Sequence, residues 1–132
     1  MTDRTTQFRA FSSEARLTIL GWLADPRSRF GGQESADPVE TGVCISLIAQ
    51  AMGVAQPTAS RHVDMLRQAG FVSLTRSRGW TYAKRDEAVI ADFMTWLAQR
   101  VGPQRPGPTA EIRSESPREA DGRSPRAGRQ VR

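Results

Sequence analysis

The chain has one cysteine and one histidine in 132 residues. A lone thiol excludes an intrachain disulfide framework and fits a reducing compartment, so a cytoplasmic location is expected. Hydrophobic residues make up only 38%, enough for one modest core over residues 1–100 and not for two. No apolar run approaches the roughly 18 residues that mark a membrane helix. The polar stretch 1–9 has no signal-like apolar segment. Catalytic signatures are missing as well: there is no P-loop, no GxGxxG, no nucleophile elbow and no plausible pair of catalytic carboxylates. Ser60, His62 and Asp64 occur close together, but residues two apart on one helix point in different directions and cannot form a triad. The chain is not expected to be an enzyme.

Positive charge is plentiful and unevenly placed. The formal net charge is +5. Residues 55–85 carry Arg61, Arg67, Arg76, Arg78, Lys84 and Arg85 against the single anion Asp64. Residues 101–132 hold seven arginines against Glu111, Glu115, Glu119 and Asp121, which leaves the remainder net acidic. A basic module on a mildly acidic scaffold is the electrostatic footprint of a nucleic-acid binder.

The apolar pattern places that module on a helix. A first short helix is expected over 5–10 with Phe8 and Phe11 inward. Ser12 would cap a second helix, Glu14 would sit in its first turn, and Leu17, Ile19, Leu20 and Leu23 would form its stripe. Asp25-Pro26 should end it. Residues 27–42, with Gly31-Gly32, Pro38 and little periodicity, read as a mobile loop. A short β segment at 43–45, paired with the later hairpin, would lead into a helix capped by Ser46, with Leu47, Ile48 and Ala51 inward and Gly53 as its stop. From Gln56 to Ala69, Ala59, Val63, Leu66 and Ala69 recur at spacings of four and three, a buried stripe. Pro57 suits a first turn and Gly70 a C-terminal turn. Strands at 71–76 and 80–85 joined by Ser77-Arg78-Gly79 would form a hairpin, and Asp86 would cap a last helix to about Arg100.

This order, α-α-(β)-α-α-β-β-α, is mainly helical with a small β-hairpin wing: a winged helix-turn-helix, whose second motif helix enters the DNA major groove. Gln56, Thr58, Ser60, Arg61 and His62 lie off the buried stripe near the N-terminal half of that helix. Glutamine can pair with adenine, arginine with guanine or phosphate, and the hydroxyls with phosphates or base edges. His62 could be a ligand, a pH switch or a DNA contact, and beside a basic groove a phosphate or base contact is the most economical reading. Arg67 reads as a phosphate or scaffold residue. Arg76, Ser77 and Arg78 on the wing turn can reach the backbone or the adjacent minor groove.

The last helix is apolar on two ridges, one with Val89, Phe93 and Trp96, the other with Ile90, Met94 and Leu97. One stripe suffices for a surface helix, so a homodimer is expected, with Phe8, Phe11, Val89, Ile90, Phe93, Met94, Trp96 and Leu97 at its interface. Residues 1–101 would then be the DNA-binding and dimerisation domain. Residues 102–132, rich in Pro, Gly, Arg, Ser and Glu, would be a disordered tail with weak attraction to phosphates.

The segment 56–72, reading QPTASRHVDMLRQAGFV, is similar to the recognition helix of the ArsR-type (ArsR/SmtB) winged helix-turn-helix repressors, and FSSEARLTIL at 11–20 resembles that family's entry into its second helix. The likeness covers roughly residues 5–100. It implies a homodimer joined through the first and last helices, an inverted-repeat operator, and release when an effector binds. Three departures stand out. Metal-sensing relatives carry Cys-x-Cys before the first helix of the motif, and here the matching positions are Val43 and Ile45 with Cys44 between them. One thiolate cannot build the soft-sulfur site of As(III) or Cu(I). The last helix has no histidine, so the His-carboxylate zinc site of other relatives is missing as such, and no metal ligand is assigned. Asp86, Glu87 and Asp92 remain as weak candidates for a borderline ion such as Ni(II) or Zn(II). The 27–42 loop is longer than the family leads one to expect, and would contact a partner protein or close over a ligand. Cys44, flanked by Val43 and Ile45, reads as a small buried hydrophobe rather than a redox sensor, which needs an exposed thiolate. The sequence therefore points to a DNA-binding transcriptional regulator, most simply a repressor. The alternative is an interaction adaptor that uses the same fold without reading DNA.

Overall fold

The structure, a computed structural model, describes residues 3–104. Its elements run α1 (Arg4–Phe11), α2 (Glu14–Ala24), α3 (Pro26–Phe30), β1 (Val43–Cys44), α4 (Ile45–Met52), α5 (Gln56–Gln68), β2 (Val72–Ser77), β3 (Trp80–Arg85) and α6 (Glu87–Val101). Residues up to Trp96 belong to one compact unit. In the second, which begins at Leu97, the Gly102 N–H closes the helix end on the Ala98 carbonyl at 2.9 Å. The tail expected from residue 102 lies, from 105 onward, outside the described residues.

The helices start and stop for local reasons. Asp3 caps α1 by accepting from the Thr6 N–H. Ser13, not Ser12, caps α2. Ser13 has the extended backbone that a cap needs and accepts from the Arg16 N–H, whereas the hydroxyl of Ser12 is spent on the Arg9 carbonyl that ends α1. The buried face of α2 is Arg16, Ile19, Leu20 and Leu23. Leu17 was expected inward and is 45% exposed, because it lies off that face. On α1 the buried residues are Gln7 and Ala10. Phe11 is half-buried and stacks on Phe71 at 4.7 Å, and Phe8 meets Phe93 edge-on at 5.3 Å while staying 43% exposed, so both rings turn toward the core as expected without being enclosed by it.

The 27–42 segment is helical only at its start, and from residue 31 it is a loop clamped by side chains. Pro26 ends α2 as expected but also opens α3, whose Phe30 is buried and meets the Trp22 ring edge-on at 6.1 Å. Gln33 then braces the chain. Its amide donates to the Ala36 and Gly42 carbonyls, and its carbonyl accepts from the Cys44 N–H at 2.8 Å. Asp37 accepts from the Val39 and Glu40 N–H groups, which holds its carboxyl below the usual range. Side-chain clamps of this kind leave no periodic trace, so the sequence shows the loop and not its bracing.

β1 pairs antiparallel with β3, Val43 opposite Ala83 and Cys44 opposite Tyr82, so the sheet order is β1-β3-β2. Ile45 is the first residue of α4 rather than the end of the strand, and Cys44 rather than Ser46 is the cap residue. That earlier start turns Ile45, Ile48 and Ala49 inward and leaves Leu47 and Ala51 half-exposed. Cys44 is buried, with its Sγ 3.3 Å from the Ser46 Oγ. α4 stops at Gly53, whose φ of 72° lets its N–H bond back to the helix end. α5 buries Ala59, Val63 and Leu66, with Ala69 buried at its C-cap, as the spacing required. Asp86 caps α6 by accepting from the Val89 N–H. The core joins α2, α4 and α5 to Phe71, Val72, Tyr82, Ala83 and Phe93.

The candidate nucleic-acid interface

α4, the turn at Gly53 and α5 form the helix-turn-helix, and the β2–β3 hairpin stands beside it as the wing. Between α5 and the wing lies an open cleft of about 880 Å3. Gln56, Ser60 and Arg61 line it from the helix, and Arg76, Gly79, Trp80 and Thr81 from the hairpin. The cationic side of α5 and the wing therefore face a common space. Thr58 is half-buried, and its hydroxyl accepts from the Arg61 guanidinium at 3.3 Å, which steadies an otherwise exposed side chain.

The cations of 55–85 divide into two groups. Arg85 is held by two bonds to the Glu87 carboxylate and one to the Leu20 carbonyl, Lys84 donates to the Glu40 carbonyl, and Arg67 pairs with Asp64 at 2.8 Å. Hydrogen bonds from Arg67 and Gln68 keep the Asp64 carboxyl below its ordinary range, so it stays charged and occupied at neutral pH. Arg85 and Lys84 thus tie β3 to other segments, while Arg67 is paired within α5. Arg61, Arg76 and Arg78 are exposed, and none of them has an ion pair among the described residues.

His62 departs from the groove set. It is half-buried with its Nδ1 3.2 Å from the Arg16 guanidinium, on the side of α5 that faces α2. Burial, then the charges of Arg16 and Arg61, push its pKa down. Trp80, which the sequence reading passed over, is 44% exposed and forms part of the cleft wall. Its signal was available: a large aromatic at the first position of a hairpin strand.

The wing turn is shorter than expected. Ser77 pairs with Trp80, so only Arg78 and Gly79 make the turn, with φ of 54° and 84°. Two positive φ values are the type I′ geometry that favours Asn-Gly. Arg78 occupies a left-handed position that costs a side-chain-bearing residue roughly 1 kcal/mol. Arg78→Asn is therefore expected to raise stability by about 0.5–1 kcal/mol while weakening DNA binding through loss of a cation. Thermal melts and DNA titrations on the one variant check both signs. A lower melting temperature would contradict the turn assignment.

The carboxylates considered for a metal are separately engaged. Asp86 caps α6, Glu87 holds Arg85 and Asp92 accepts from Arg4 at 3.2 Å. Among the described residues no three His, Cys, Asp or Glu side chains converge as a ligand set. Of the expected interface residues, Phe93 is wholly buried within its own protomer. It is enclosed by Phe8, Phe11, Phe71 and Trp96, which removes it from any surface. Phe8 and Met94 are exposed, and Phe11, Val89, Ile90 and Trp96 are half-buried. Leu97 belongs to the second unit.

The sequence profile of the bacterial regulatory protein arsR family matches residues 43–73, from β1 into the wing. The uncharacterized HTH-type transcriptional regulator YbzH of Bacillus subtilis (strain 168) is 41% identical over 90 residues, 66% of this chain and 90% of its own length. The fold is shared with the crystal structure of an ArsR family transcriptional regulator at 18% identity, with a TM-score of 0.56 over 73% of this chain and 89% of the other. A homodimeric winged helix-turn-helix DNA-binding domain from Mycobacterium bovis, a possible ArsR-family regulator, aligns at 21% identity with a TM-score of 0.50 over 78% and 86% of the two chains. Proteins of this kind regulate transcription and are not enzymes. With the helix-turn-helix, the wing and a relative matched over most of its length, the chain belongs to the ArsR family of DNA-binding transcriptional regulators.

Proposed function

We propose that this regulator is a repressor that binds an inverted-repeat operator as a homodimer. The observation that carries the reading is the cleft between α5 and the wing, which gathers Gln56, Ser60, Arg61 and Arg76 around one space. Gln56 and Arg61 read base edges, Thr58 and Ser60 steady the helix on phosphates or bases, and Arg76, Ser77 and Arg78 hold the flanking backbone or minor groove. Residues 1–101 serve as the DNA-binding and dimerisation domain, and the arginines of 102–132 add sequence-independent attraction.

Subunits pair through α1 and α6. Only Phe93 of α6 is buried in the protomer, while Phe8 and Met94 are exposed apolar groups on these two helices. A two-fold axis lets one such patch cover its own copy. The homodimeric state of the neighbour from Mycobacterium bovis supports a dimer. An effector, whether a metal ion, a metabolite, an oxidant or a partner protein, sets operator occupancy.

A footprint on the DNA upstream of its own gene tests the reading, with sedimentation of the free protein alongside. Two protected half-sites about one helical turn apart and a dimeric mass are expected. Absence of protection at low salt would refute DNA reading, and a monomer that protects a single half-site would refute the dimer.

A further inference from the structure

We infer that Arg16 is a positioning residue for DNA binding, its guanidinium tying the recognition helix to the frame of α1 and α2 through the neutral ring of His62. The inference rests on the reading of α5 as the helix that enters the groove. Arg16 is a charged side chain only 8% exposed, and it lies on the apolar face of α2 with Ile19, Leu20 and Leu23. Its Nε donates to the Ala10 carbonyl at 2.8 Å and one terminal nitrogen to the Arg9 carbonyl at 2.9 Å, both in the last turn of α1. The other terminal nitrogen meets the Nδ1 of His62 at 3.2 Å. One residue thus joins α1, α2 and α5.

The chemistry fixes the state of the ring. A guanidinium has donors and no acceptor, so the Nδ1 of His62 must accept and its proton sits on Nε2. Protonating Nδ1 would set donor against donor and cation against cation. Among the described residues no anion relieves it: Arg16 faces the ring from α2, Arg61 bears on it from α5, and the α1 carbonyls nearby are already taken by Arg16. Burial lowers the histidine pKa in the same direction. The tie is therefore whole at neutral pH and lost as pH falls through a value below 6.5. A second polar tie, from the Gln7 amide to the Ala69 carbonyl, secures the far end of α5 and does not titrate. Loss of the Arg16 bond thus leaves the helix in place and frees its DNA-facing half.

The sign of the pH effect separates this role from direct DNA contact. A histidine against phosphate gains charge on acidification and tightens binding. A histidine that holds Arg16 loosens it. The full-length chain, carrying no added histidines, is titrated with the DNA upstream of its own gene at fixed salt between about pH 7.5 and 5.5, the range in which histidine titrates. Wild-type affinity is expected to fall severalfold toward the acid end, since one group titrating below 6.5 costs less than about tenfold at pH 5.5. His62→Gln replaces the titrating acceptor with an amide oxygen and is expected to flatten the profile. Arg16→Gln, with folding checked by circular dichroism, is expected to bind about tenfold more weakly at neutral pH, and the NMR-observed pKa of the single histidine should move up. Tighter or unchanged wild-type binding on acidification overturns the inference, as does an Arg16→Gln chain with wild-type affinity. Absence of wild-type binding at every pH would instead overturn the DNA-reading proposal beneath it.

Discussion

Arg61→Ala is expected to abolish operator discrimination. A bidentate arginine–guanine contact is worth about 1–3 kcal/mol against a wrong base, and a two-fold dimer makes it twice, so roughly 2–6 kcal/mol of preference is at stake. That is at least about a 30-fold loss in specific affinity. The side chain is exposed on the cleft wall and, among the described residues, is bonded only to the Thr58 hydroxyl, so removing it leaves the fold intact. Arg76→Ala should behave differently. A wing cation that meets phosphate weakens specific and mixed-sequence DNA alike, and lowers the slope of log K against log salt by about 0.9 per subunit. Equal losses on operator and mixed-sequence DNA for Arg61→Ala would move that residue from base reading to the backbone.

Phe93→Ala is expected to be the most damaging single change to stability. Its ring is fully buried, 5.5 Å from that of Phe71, 5.1 Å from Phe11 and 5.3 Å from Phe8, with the Arg4 guanidinium 5.9 Å from its centre. It joins α6 to α1 and to the start of the wing. Emptying such a site costs about 3–5 kcal/mol, a large share of the roughly 5–15 kcal/mol available to a domain. For a unit of this size the melting temperature should drop by roughly 15–30 °C. Calorimetry measures it directly, and a shift of only a few degrees would show that α6 is not seated through this ring. Met94→Ala, at a position 51% exposed, serves as the comparison and should shift the free protomer little.

The recognition helix was the most legible part of the chain. Ala59, Val63, Leu66 and Ala69 repeat at helical spacing and are buried, and Ser60, Arg61, Arg67 and Gln68 between them face out. The hairpin was legible from its alternation and its glycine. What escaped was held by polar side chains. Gln7 is buried on α1 because its amide reaches the Ala69 carbonyl while its own carbonyl accepts from Arg4. Arg16 is buried because two helix-end carbonyls and a histidine take its donors. Hydrophobic patterning assigns such residues to the surface. A clue existed for Arg16, which falls in the same row as Leu20 and Leu23. The caps at Ser13 and Cys44 were each misplaced by one or two residues, and in α4 that small error was enough to turn Leu47 outward and Ala49 inward. α3 went unseen because Pro26 ends one helix and begins another.

The junction between β1 and α4 has no spare residue: Cys44 is paired with Tyr82 of the wing, and Ile45 is already helical. Nothing there can flex to absorb a rotation. A tilt of the hairpin, as its tip follows a narrower or wider groove, must swing the axis of α4 along with it. Sequences that bend easily at the flank would then be favoured without any base being touched there, so that stiffness as well as spelling would enter the choice of site.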